Sequence, residues 1–337
     1  MTQRILAARL DSAGDVLLTG PAVRALAQAA ESLVFLVGPR GRVAAQLLPG
    51  VDEVVEYHAP WVDFEPNELT ADSVAALVKQ IRDYHIDKAF VFTSFHQSPL
   101  PLALILRMAA VPWIGAISVD YPGSLLDLRY HVDGDPPEPE RALSLCRAAG
   151  IVLSATDSGA LQVRRPLPDV TNLTGEAGYV VVHPGAAVPA RRMTADRARR
   201  MVAAIAHAGH RVIVTGSPSE AELTAVVAGD AAQDLGGATS FAELAAVLER
   251  AAVVIAPNTG PAHLAAAVGT PVVSLFAPVV PASRWAPYGV PIVLLGAQHA
   301  KCAGSRARTC PIPGHPCLDG IADSEVLAAI AELTERR

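Results

Sequence analysis

Runs of apolar residues alternate with amphipathic stretches along the chain, and this alternation predicts strands and helices in turn. In residues 72–84, for example, Val74, Leu77, Val78 and Ile81 fall on one face of a helix. The N-terminal half is predicted to contain strands 4–9, 33–37, 54–56, 88–92 and 113–117 and helices 16–30, 42–48, 72–84, 101–110 and 140–149. Strands separated by helices at this spacing indicate a parallel sheet that is covered on both faces.

The pattern breaks twice, and we interpret residues 118–139 as a loop and residues 154–178 as an interdomain linker because both are rich in Pro, Gly and Asp. Alternation then resumes, with strands at 179–183, 211–215, 252–256, 272–276 and 291–295 and helices at 194–208, 219–228, 241–250, 261–268 and 324–335. The predicted fold class is therefore α/β, with two Rossmann-like domains that face a central cleft. The predicted segments are a domain over 1–160, a domain over 175–320 and a terminal helix over 321–337.

The amino-acid composition excludes some classes of protein. The chain has 337 residues, of which 51% are hydrophobic, so two cores can be buried. A net charge of −6 argues against a nucleic-acid binder, which is normally basic. No apolar run reaches the roughly 20 residues that a membrane span needs, and the N-terminus enters a strand without a signal peptide. We therefore expect a cytoplasmic protein with at most peripheral membrane contact.

Three of the four cysteines lie close together near the C-terminus, at Cys302, Cys310 and Cys317. They lack the paired Cys-x2-Cys units of an ordinary zinc site, although His299 and His315 lie nearby. Reduced structural thiols are the favoured interpretation, and a conditional disulfide and a metal clip stay open as alternatives. We predict no metal and no cofactor.

Residues 252–268 read as a buried strand, a tight turn and a helix N-terminus. The turn contains Asn258, Thr259 and Gly260, and its free backbone N–H groups with the following helix form the construction that holds phosphate. His263, one turn into that helix, can face the same anion, although a lone histidine here would more often be a core residue. The stretch predicts a phosphate-bearing ligand.

Other polar residues also follow predicted strands, at the sheet edge where α/β proteins bind ligands. Asp15 follows the first strand and is either a general base or the cap of the next helix, two interpretations that its position alone does not separate. Asp11 is more typical of a residue that shapes the turn.

In the second half, His183 ends a strand, and Arg191 and Arg192 follow it. Two guanidinium groups at a positive helix end favour a bound diphosphate over a solvated basic surface. Thr215 and Gly216 end the next strand. They precede Glu220 and Glu222, whose carboxylates either accept hydrogen bonds from a ribose or simply complement the helix dipole.

Three segments together resemble glycosyltransferase family 9, the ADP-heptose:lipopolysaccharide heptosyltransferases, in the right order and over nearly the whole chain. They are Asp11-Ser-Ala-Gly-Asp15-Val-Leu-Leu-Thr-Gly-Pro21-Ala, His183-Pro-Gly-Ala with Arg191-Arg192-Met193, and Asn258-Thr-Gly-Pro-Ala-His263-Leu-Ala-Ala-Ala. The resemblance implies a GT-B fold, an acceptor-binding N-terminal domain and a donor-binding C-terminal domain. It also implies inverting sugar transfer without a metal ion, from a nucleoside-diphosphate sugar that is most simply ADP-heptose.

Residue by residue, the resemblance implies that Asp15 is the catalytic base and that Arg191 replaces the diphosphate-binding lysine. The donor-phosphate motif falls on Asn258, Thr259, Gly260 and His263, and the nucleoside is placed near Thr239 and either Glu220 or Glu222. Departures are Asn258 for an aspartate, Met193 for an aromatic residue, and Ser305 where many members carry a second cysteine, which weakens a metal site further.

The acceptor stays open between a glycan, a lipid-linked glycan and a soluble small molecule, because residues 40–140 resemble the lipopolysaccharide enzymes least. The sugar and the nucleotide base are also open. Two alternatives to transfer remain: a nucleotide-sugar epimerase of the same fold, and a non-catalytic nucleotide-sugar-binding protein. A Rossmann dehydrogenase is disfavoured, since no Gly-x-Gly-x-x-Gly follows any predicted strand.

Overall fold

The structure is a computed structural model that describes residues 3–63 and 65–335, and it divides the chain into two compact units at Arg164 and Arg165. Each unit is built around a six-stranded sheet, and every strand pairing among the described residues is parallel. The outer ends of the predicted segments, residues 1–2 and 336–337, lie outside the described residues.

The first unit has strands in the order β3-β2-β1-β4-β5-β6. Its elements are β1 (Arg4–Arg9), α1 (Ala13–Ala29), β2 (Ser32–Val37), α2 (Arg42–Leu47), β3 (Glu53–Glu56), α3 (Ala71–Asp83), β4 (Lys88–Val91), α4 (Leu100–Met108), β5 (Trp113–Ile117), β6 (Leu128–Tyr130) and α5 (Glu138–Ala148). The strand order reverses direction between β1 and β4. In an open α/β sheet this topological switch point leaves a crevice at the carboxyl ends of the strands, where ligands bind.

Apolar side chains on both faces explain why these strands lie inside the sheet. All residues of β1 after Arg4 are buried, and the same holds for β2 after Ser32. Helix α1 packs against α5 and is buried from Val16 to Leu26, which matches its run of alanine, leucine and valine.

The second unit repeats the topology, with strands in the order β12-β11-β10-β7-β8-β9 and a switch point between β7 and β10. Its elements are α6 (Thr171–Thr174), β7 (Val180–Val182), α7 (Ala195–His207), β8 (Val212–Gly216), α8 (Ala221–Ala228), β9 (Gln233–Gly236), α9 (Phe241–Glu249), β10 (Val253–Pro257), α10 (Gly260–Ala267), β11 (Val272–Leu275), α11 (Ala282–Trp285), β12 (Ile292–Leu295), α12 (Pro316–Asp319) and α13 (Asp323–Glu335). Helix α13 packs against α7 and against strands of the same sheet, so it is an integral layer of this unit.

Two regions differ from the sequence prediction. The predicted loop 118–139 contains β6 and the first residues of α5. The predicted linker 154–178 is packed along much of its length: Arg24 in α1 binds Asp157 with two hydrogen bonds of 2.7 and 2.8 Å, and Arg164 donates to the carbonyl oxygen of Leu48 at 2.8 Å. These polar residues are held by side-chain hydrogen bonds, which a hydrophobic pattern does not reveal.

Among the described residues, no helix combines the length and the apolar character that crossing a membrane requires.

Candidate active site

At the switch point of the first unit, a buried arginine stands among three carboxylates. Arg9 is the last residue of β1 and is 2% exposed. Its Nε lies 2.8 Å from Oδ2 of Asp11, and its Nη2 lies 3.0 Å from Oδ1 of Asp15. Its Nη1 lies 3.5 Å from Oε2 of Glu138 at the start of α5. The end of β1 and the start of α5 therefore meet on one guanidinium group.

The segment that follows β4 completes this cluster. Arg9 donates from Nη2 to Oγ of Ser94 at 3.0 Å, and Gln97 donates from Nε2 to Oδ1 of Asp11 at 2.5 Å. Arg141, one turn along α5, brings a second guanidinium group to 3.6 Å from Glu138. Both strands that flank the switch point thus contribute to the cluster.

Asp15 lies inside the first turn of α1, because the helix begins at Ala13 and not at the predicted Val16. Its Oδ2 accepts hydrogen bonds from the backbone N–H of Ser12 at 3.2 Å and from the Ser12 hydroxyl at 2.7 Å, which forms a capping box with Ser12 as N-cap. Asp15 is therefore not the N-cap itself but the partner of Ser12 in the capping box. The base interpretation is compatible with it, since the Asp15 side chain keeps 17% of its surface exposed.

Burial and charge act against each other on the groups of this cluster. Burial raises the pKa of Asp11 and of Glu138, and the nearby Asp15 carboxylate raises both pKa values further. The positive charge of Arg9 acts in the opposite direction, but the pKa of each carboxyl group remains above its ordinary value. Burial lowers the pKa of Arg9, but Asp11, Asp15 and Glu138 raise it by more, so that Arg9 stays protonated. Three carboxyl groups thus surround the protonated Arg9, and Arg141 lies beside one of them as a second guanidinium group.

The sequence analysis missed Arg9, Ser94, Gln97 and Glu138 as members of the site. They lie up to 129 positions apart in the chain, and only the pairing of β1 with β4 and the placement of α5 bring them together. One local signal was present: Arg9 is a charged residue directly after four apolar or small residues of a buried strand, where a charge requires partners.

At the switch point of the second unit, His183 follows β7 and is buried. Its Nδ1 lies 3.1 Å from Oγ1 of Thr215 at the end of β8, and its Nε2 lies 3.8 Å from Oε2 of Glu220. Burial lowers the pKa of His183 to about 4, against the opposing effect of Glu220. His183 is therefore neutral near pH 7, and its contact with Glu220 is not an ion pair.

Two glycines allow the backbone to approach Glu220 closely. A Cβ atom on Gly185 would lie 1.9 Å from Oε1 of Glu220, and one on Gly216 would lie 3.3 Å from Cβ of Glu220. Glu220 is itself fixed, because its Oε2 accepts hydrogen bonds from the backbone N–H and the hydroxyl of Ser217 at 2.9 and 2.8 Å. Of the two candidate glutamates, Glu220 faces the switch point, whereas Glu222 is exposed in the first turn of α8.

The strand, turn and helix predicted around Asn258 are present, as β10, residues 258–259 and α10. Asn258 is 4% exposed, and its Nδ2 has no hydrogen-bond partner among the described residues. Thr259 is the N-cap of α10 but makes no capping bond with its side chain, and His263 is buried one turn later. An uncapped helix N-terminus beside a buried amide donor is a favourable place for an anion.

The remaining predicted donor residues lie on loops of the same unit. Arg191 ends a short 3-10 turn and Arg192 follows it, both half-buried. The turn is held by the C-terminal cysteine loop, since Ala190 donates from its N–H to the carbonyl oxygen of Arg308 at 2.9 Å. Thr239 is half-buried and comes directly before Ser240, the N-cap of α9.

The cysteine loop is part of the core of this unit. Cys302 and Cys317 are buried free thiols within the main hydrophobic cluster, and Cys310 is half-buried. Burial raises the pKa of Cys317 to about 11, and the neighbouring Cys302 and Cys310 contribute to this increase. A raised pKa disfavours the reactive thiolate form of Cys317.

Comparison with known proteins gives one family and a consistent set of structures. The sequence model of glycosyltransferase family 9 (heptosyltransferase) matches residues 74–315. A family 9 glycosyltransferase from Veillonella parvula is 18% identical, covers 99% of this chain and 98% of its own, and superposes with a TM-score of 0.79. The ADP-heptose LPS heptosyltransferase II of E. coli is 18% identical with 99% of both chains covered and a TM-score of 0.76.

A third structure, E. coli heptosyltransferase WaaC with ADP-2-deoxy-2-fluoro heptose, is 19% identical, covers 98% of this chain and 99% of its own, and has a TM-score of 0.67. No curated protein sequence matches the chain. At these identities the structural similarity shows the fold, and it confirms the predicted α/β class of the GT-B type.

Proposed function

Because the chain belongs to glycosyltransferase family 9 (heptosyltransferase), and is a glycosyltransferase, we propose that it transfers a sugar with inversion from a nucleoside-diphosphate donor to an acceptor hydroxyl without a metal ion. ADP-heptose is the proposed donor, since the E. coli relatives of the same fold are described with ADP-heptose, with ADP or with an ADP-heptose analogue. The first unit provides the base, and the second unit holds the donor.

The donor half of the proposal rests on the second switch point. The N-terminus of α10, the buried amide of Asn258 and the ring of His263 are donors for a diphosphate, and Arg191 and Arg192 add two positive charges on the loop after β7. Thr215, Gly216, Glu220 and Thr239 lie at the carboxyl ends of β8 and β9, where a nucleoside would be held. Glu222 is the weakest member of the predicted set because it is exposed.

The observation that carries the proposal is the environment of Asp15. Its carboxylate is fixed by Arg9 on one oxygen and by Ser12 on the other, at the carboxyl edge of the sheet, and it remains accessible. A fixed and accessible carboxylate at a topological switch point is suited to take a proton from a substrate hydroxyl.

In the proposed reaction Asp15 takes the proton of the acceptor hydroxyl while that oxygen attacks the anomeric carbon opposite the leaving diphosphate. The new C–O bond forms as the bond to the diphosphate oxygen breaks, through a transition state with oxocarbenium character. Negative charge grows on the leaving group, and Arg191, Arg192 and the α10 amides stabilise it. Inversion follows from this single displacement.

The test is the Asp15→Asn variant, which keeps the shape of the side chain but cannot accept the proton. We expect kcat to fall by about 10²- to 10⁴-fold, with little change in the affinity for ADP measured by calorimetry. The matched control is Asp72→Asn, which removes an exposed carboxylate from the first turn of α3.

Transfer is measured as ADP release from ADP-heptose with neutral glycosides, phosphorylated glycosides and amino sugars as acceptors. An Asp15→Asn enzyme with wild-type activity would exclude Asp15 as the base. Conversion of the donor in the absence of any acceptor would support the epimerase instead. Binding of ADP-heptose without product from any acceptor would support the non-catalytic binder.

A further inference from the structure

We propose that Arg9 is a positioning residue for the transfer reaction, which orients Asp15 and keeps it in the ionised form that accepts a proton. This inference rests on the proposed function, because it assumes that Asp15 is the base. Arg9 is itself buried, so it is not placed to contact a substrate. It acts through the carboxylate of Asp15, to which its Nη2 donates at 3.0 Å.

Stability alone does not account for this arrangement. A buried guanidinium group with several carboxylates requires the desolvation of every charge, and well-packed apolar residues are often as stable or more stable in such places. The cluster holds three carboxyl groups, Asp11, Asp15 and Glu138, against two guanidinium groups, Arg9 and Arg141. Buried titratable groups with shifted pKa values at the ligand-binding edge of a sheet are typical of a functional site.

Arg24 provides the contrast within the same unit. It is 6% exposed and binds the carboxylate of Asp157 through two hydrogen bonds and the carbonyl oxygen of Ala160 through a third. This bidentate pair ties residues 157–160 to α1, as a structural ion pair does. Arg9 instead distributes its nitrogens over three elements, and one of its partners, Asp15, is still accessible.

The geometry shows how Arg9 fixes the base. Oδ1 of Asp15 accepts from Arg9, and Oδ2 accepts from the N–H and the hydroxyl of Ser12, so neither carboxylate oxygen can rotate away. Arg9 is held in turn by Asp11, Ser94 and Glu138. Movement of Arg9 would release Asp15, and a misplacement of about 1 Å can lower a catalytic rate by about 10²-fold.

The positive charge of Arg9 also affects the protonation of Asp15. The charged and titratable groups around Asp15 are Arg9 on β1, Asp11 after β1, and Glu138 and Arg141 on α5. Arg9 is a cation in direct contact with the Asp15 carboxylate, whereas Asp11 and Glu138 are carboxyl groups on the other sides of Arg9. Removal of the positive charge therefore favours protonated Asp15, and removal of a negative charge has the opposite effect.

Two variants of Arg9 separate orientation from charge. Arg9→Lys keeps the positive charge but loses the planar guanidinium group that reaches several partners at once. We therefore expect kcat to fall by about 10- to 100-fold, while the KM for the donor and the pH profile stay nearly unchanged. Arg9→Met also loses the charge, and we expect the acidic limb of its kcat/KM profile to move up by about one pH unit or more.

Glu138→Gln and Arg24→Lys serve as counterparts. Glu138→Gln removes a negative charge on the far side of Arg9, so the acidic limb is expected to move to lower pH, opposite to Arg9→Met. Arg24→Lys weakens a buried ion pair outside the cluster, and it is expected to lower the melting temperature without changing kcat. All rates are divided by the number of ADP-binding sites from calorimetry, which corrects for unfolded protein.

Arg9→Lys with wild-type kcat per ADP-binding site overturns the inference, even if its melting temperature falls as in Arg24→Lys, because Arg9 would then be a structural residue only. Arg9→Lys alone suffices for this decision if Arg9→Met does not fold. An active Asp15→Asn enzyme would overturn the proposed base and the role of Arg9 together. If Asp15→Asn is inactive but Arg9→Lys is fully active, only the positioning role of Arg9 is overturned and Asp15 remains the proposed base.

Discussion

His183 illustrates how a single buried residue couples the second unit to pH. Its pKa falls to about 4 in the folded state, mainly because burial penalises the charged ring. The ordinary value is about 6.5, so between these pH values the unfolded chain binds a proton that the folded chain does not. The free energy of unfolding therefore decreases as the pH falls from about 6.5 towards 4.

We predict that His183→Gln, which cannot take up a proton, loses part of this decrease. The measurement is the melting temperature of wild type and variant from pH 7.5 to 4.5, where we expect the difference between them to shrink or reverse at low pH. His207→Gln, an exposed histidine at the end of α7, is the control. Parallel curves for wild type and His183→Gln would contradict the prediction.

The sequence was sufficient to find single residues that follow a buried strand. Asp15, His183 and Asn258 were selected in this way, and the structure places each of them at the carboxyl edge of its sheet. It was not sufficient to find partners such as Ser94 and Glu138, because their contacts with Arg9 depend on strand order. It also left Glu220 and Glu222 equivalent, although only Glu220 faces His183.

At the level of elements, the turn after β7 packs closely against the Glu220 side chain at the start of α8, because residue 185 is glycine. We predict that Gly185→Ala lowers the free energy of unfolding by about 1 kcal/mol, because the added methyl group displaces the Glu220 carboxylate from its hydrogen bonds with Ser217. The backbone of Gly185 is not in the left-handed region, so the collision is the only expected source of strain.

A double-mutant cycle tests this explanation. Glu220→Ala removes the colliding side chain and also loses a capping interaction. The double mutant Gly185→Ala/Glu220→Ala should therefore be no less stable than the single mutant Glu220→Ala. Gly185→Ala with Glu222→Ala is the matched control and should keep the full destabilisation. Equal losses for Gly185→Ala in both backgrounds, measured by urea unfolding, would show that the Glu220 contact is not the cause.

Central strands were predicted to within one or two residues because burial on both faces makes them continuous apolar runs, as in β2 and β10. The edge strands β6 and β9 were missed, since they are short and carry exposed polar residues such as Arg129 and Asp234. The start of α1 was predicted three residues too late, because Ala13, Gly14 and Asp15 precede the apolar run that begins at Val16. The spacing of Ser12 and Asp15 was the signal of the true N-terminus.

At the scale of the whole molecule, the two units share one topology, and each carries its polar cluster at its own switch point. The clusters differ in sign: carboxylates dominate in the first unit, whereas Arg191, Arg192 and a helix N-terminus characterise the second. The charges of the second unit therefore favour binding of an anionic diphosphate. Those of the first unit favour a ligand that is not anionic.

Under the proposal that the first unit binds the acceptor, the charges along its carboxyl edge predict the chemical class of that acceptor. Two of this unit's guanidinium groups stand beside carboxylates, with Arg40 at 3.7 Å from Asp63 and Arg42 at 3.5 Å from Glu56. Further carboxylates follow β3, β5 and β6, namely Glu65, Glu68, Asp120, Asp133 and Asp135. Because like charges repel, we expect neutral or amino-bearing acceptors to be used in preference to phosphorylated ones.

The comparison uses a neutral methyl glycoside and the same glycoside with one phosphate group, both with ADP-heptose as donor. We expect kcat/KM to be about tenfold higher or more for the neutral member at low salt, with the ratio decreasing as salt screens the repulsion. Asp63→Asn, which leaves Arg40 without that counter-charge, should lower the ratio. A phosphorylated acceptor that is preferred most strongly at low salt would show instead that this edge attracts anions.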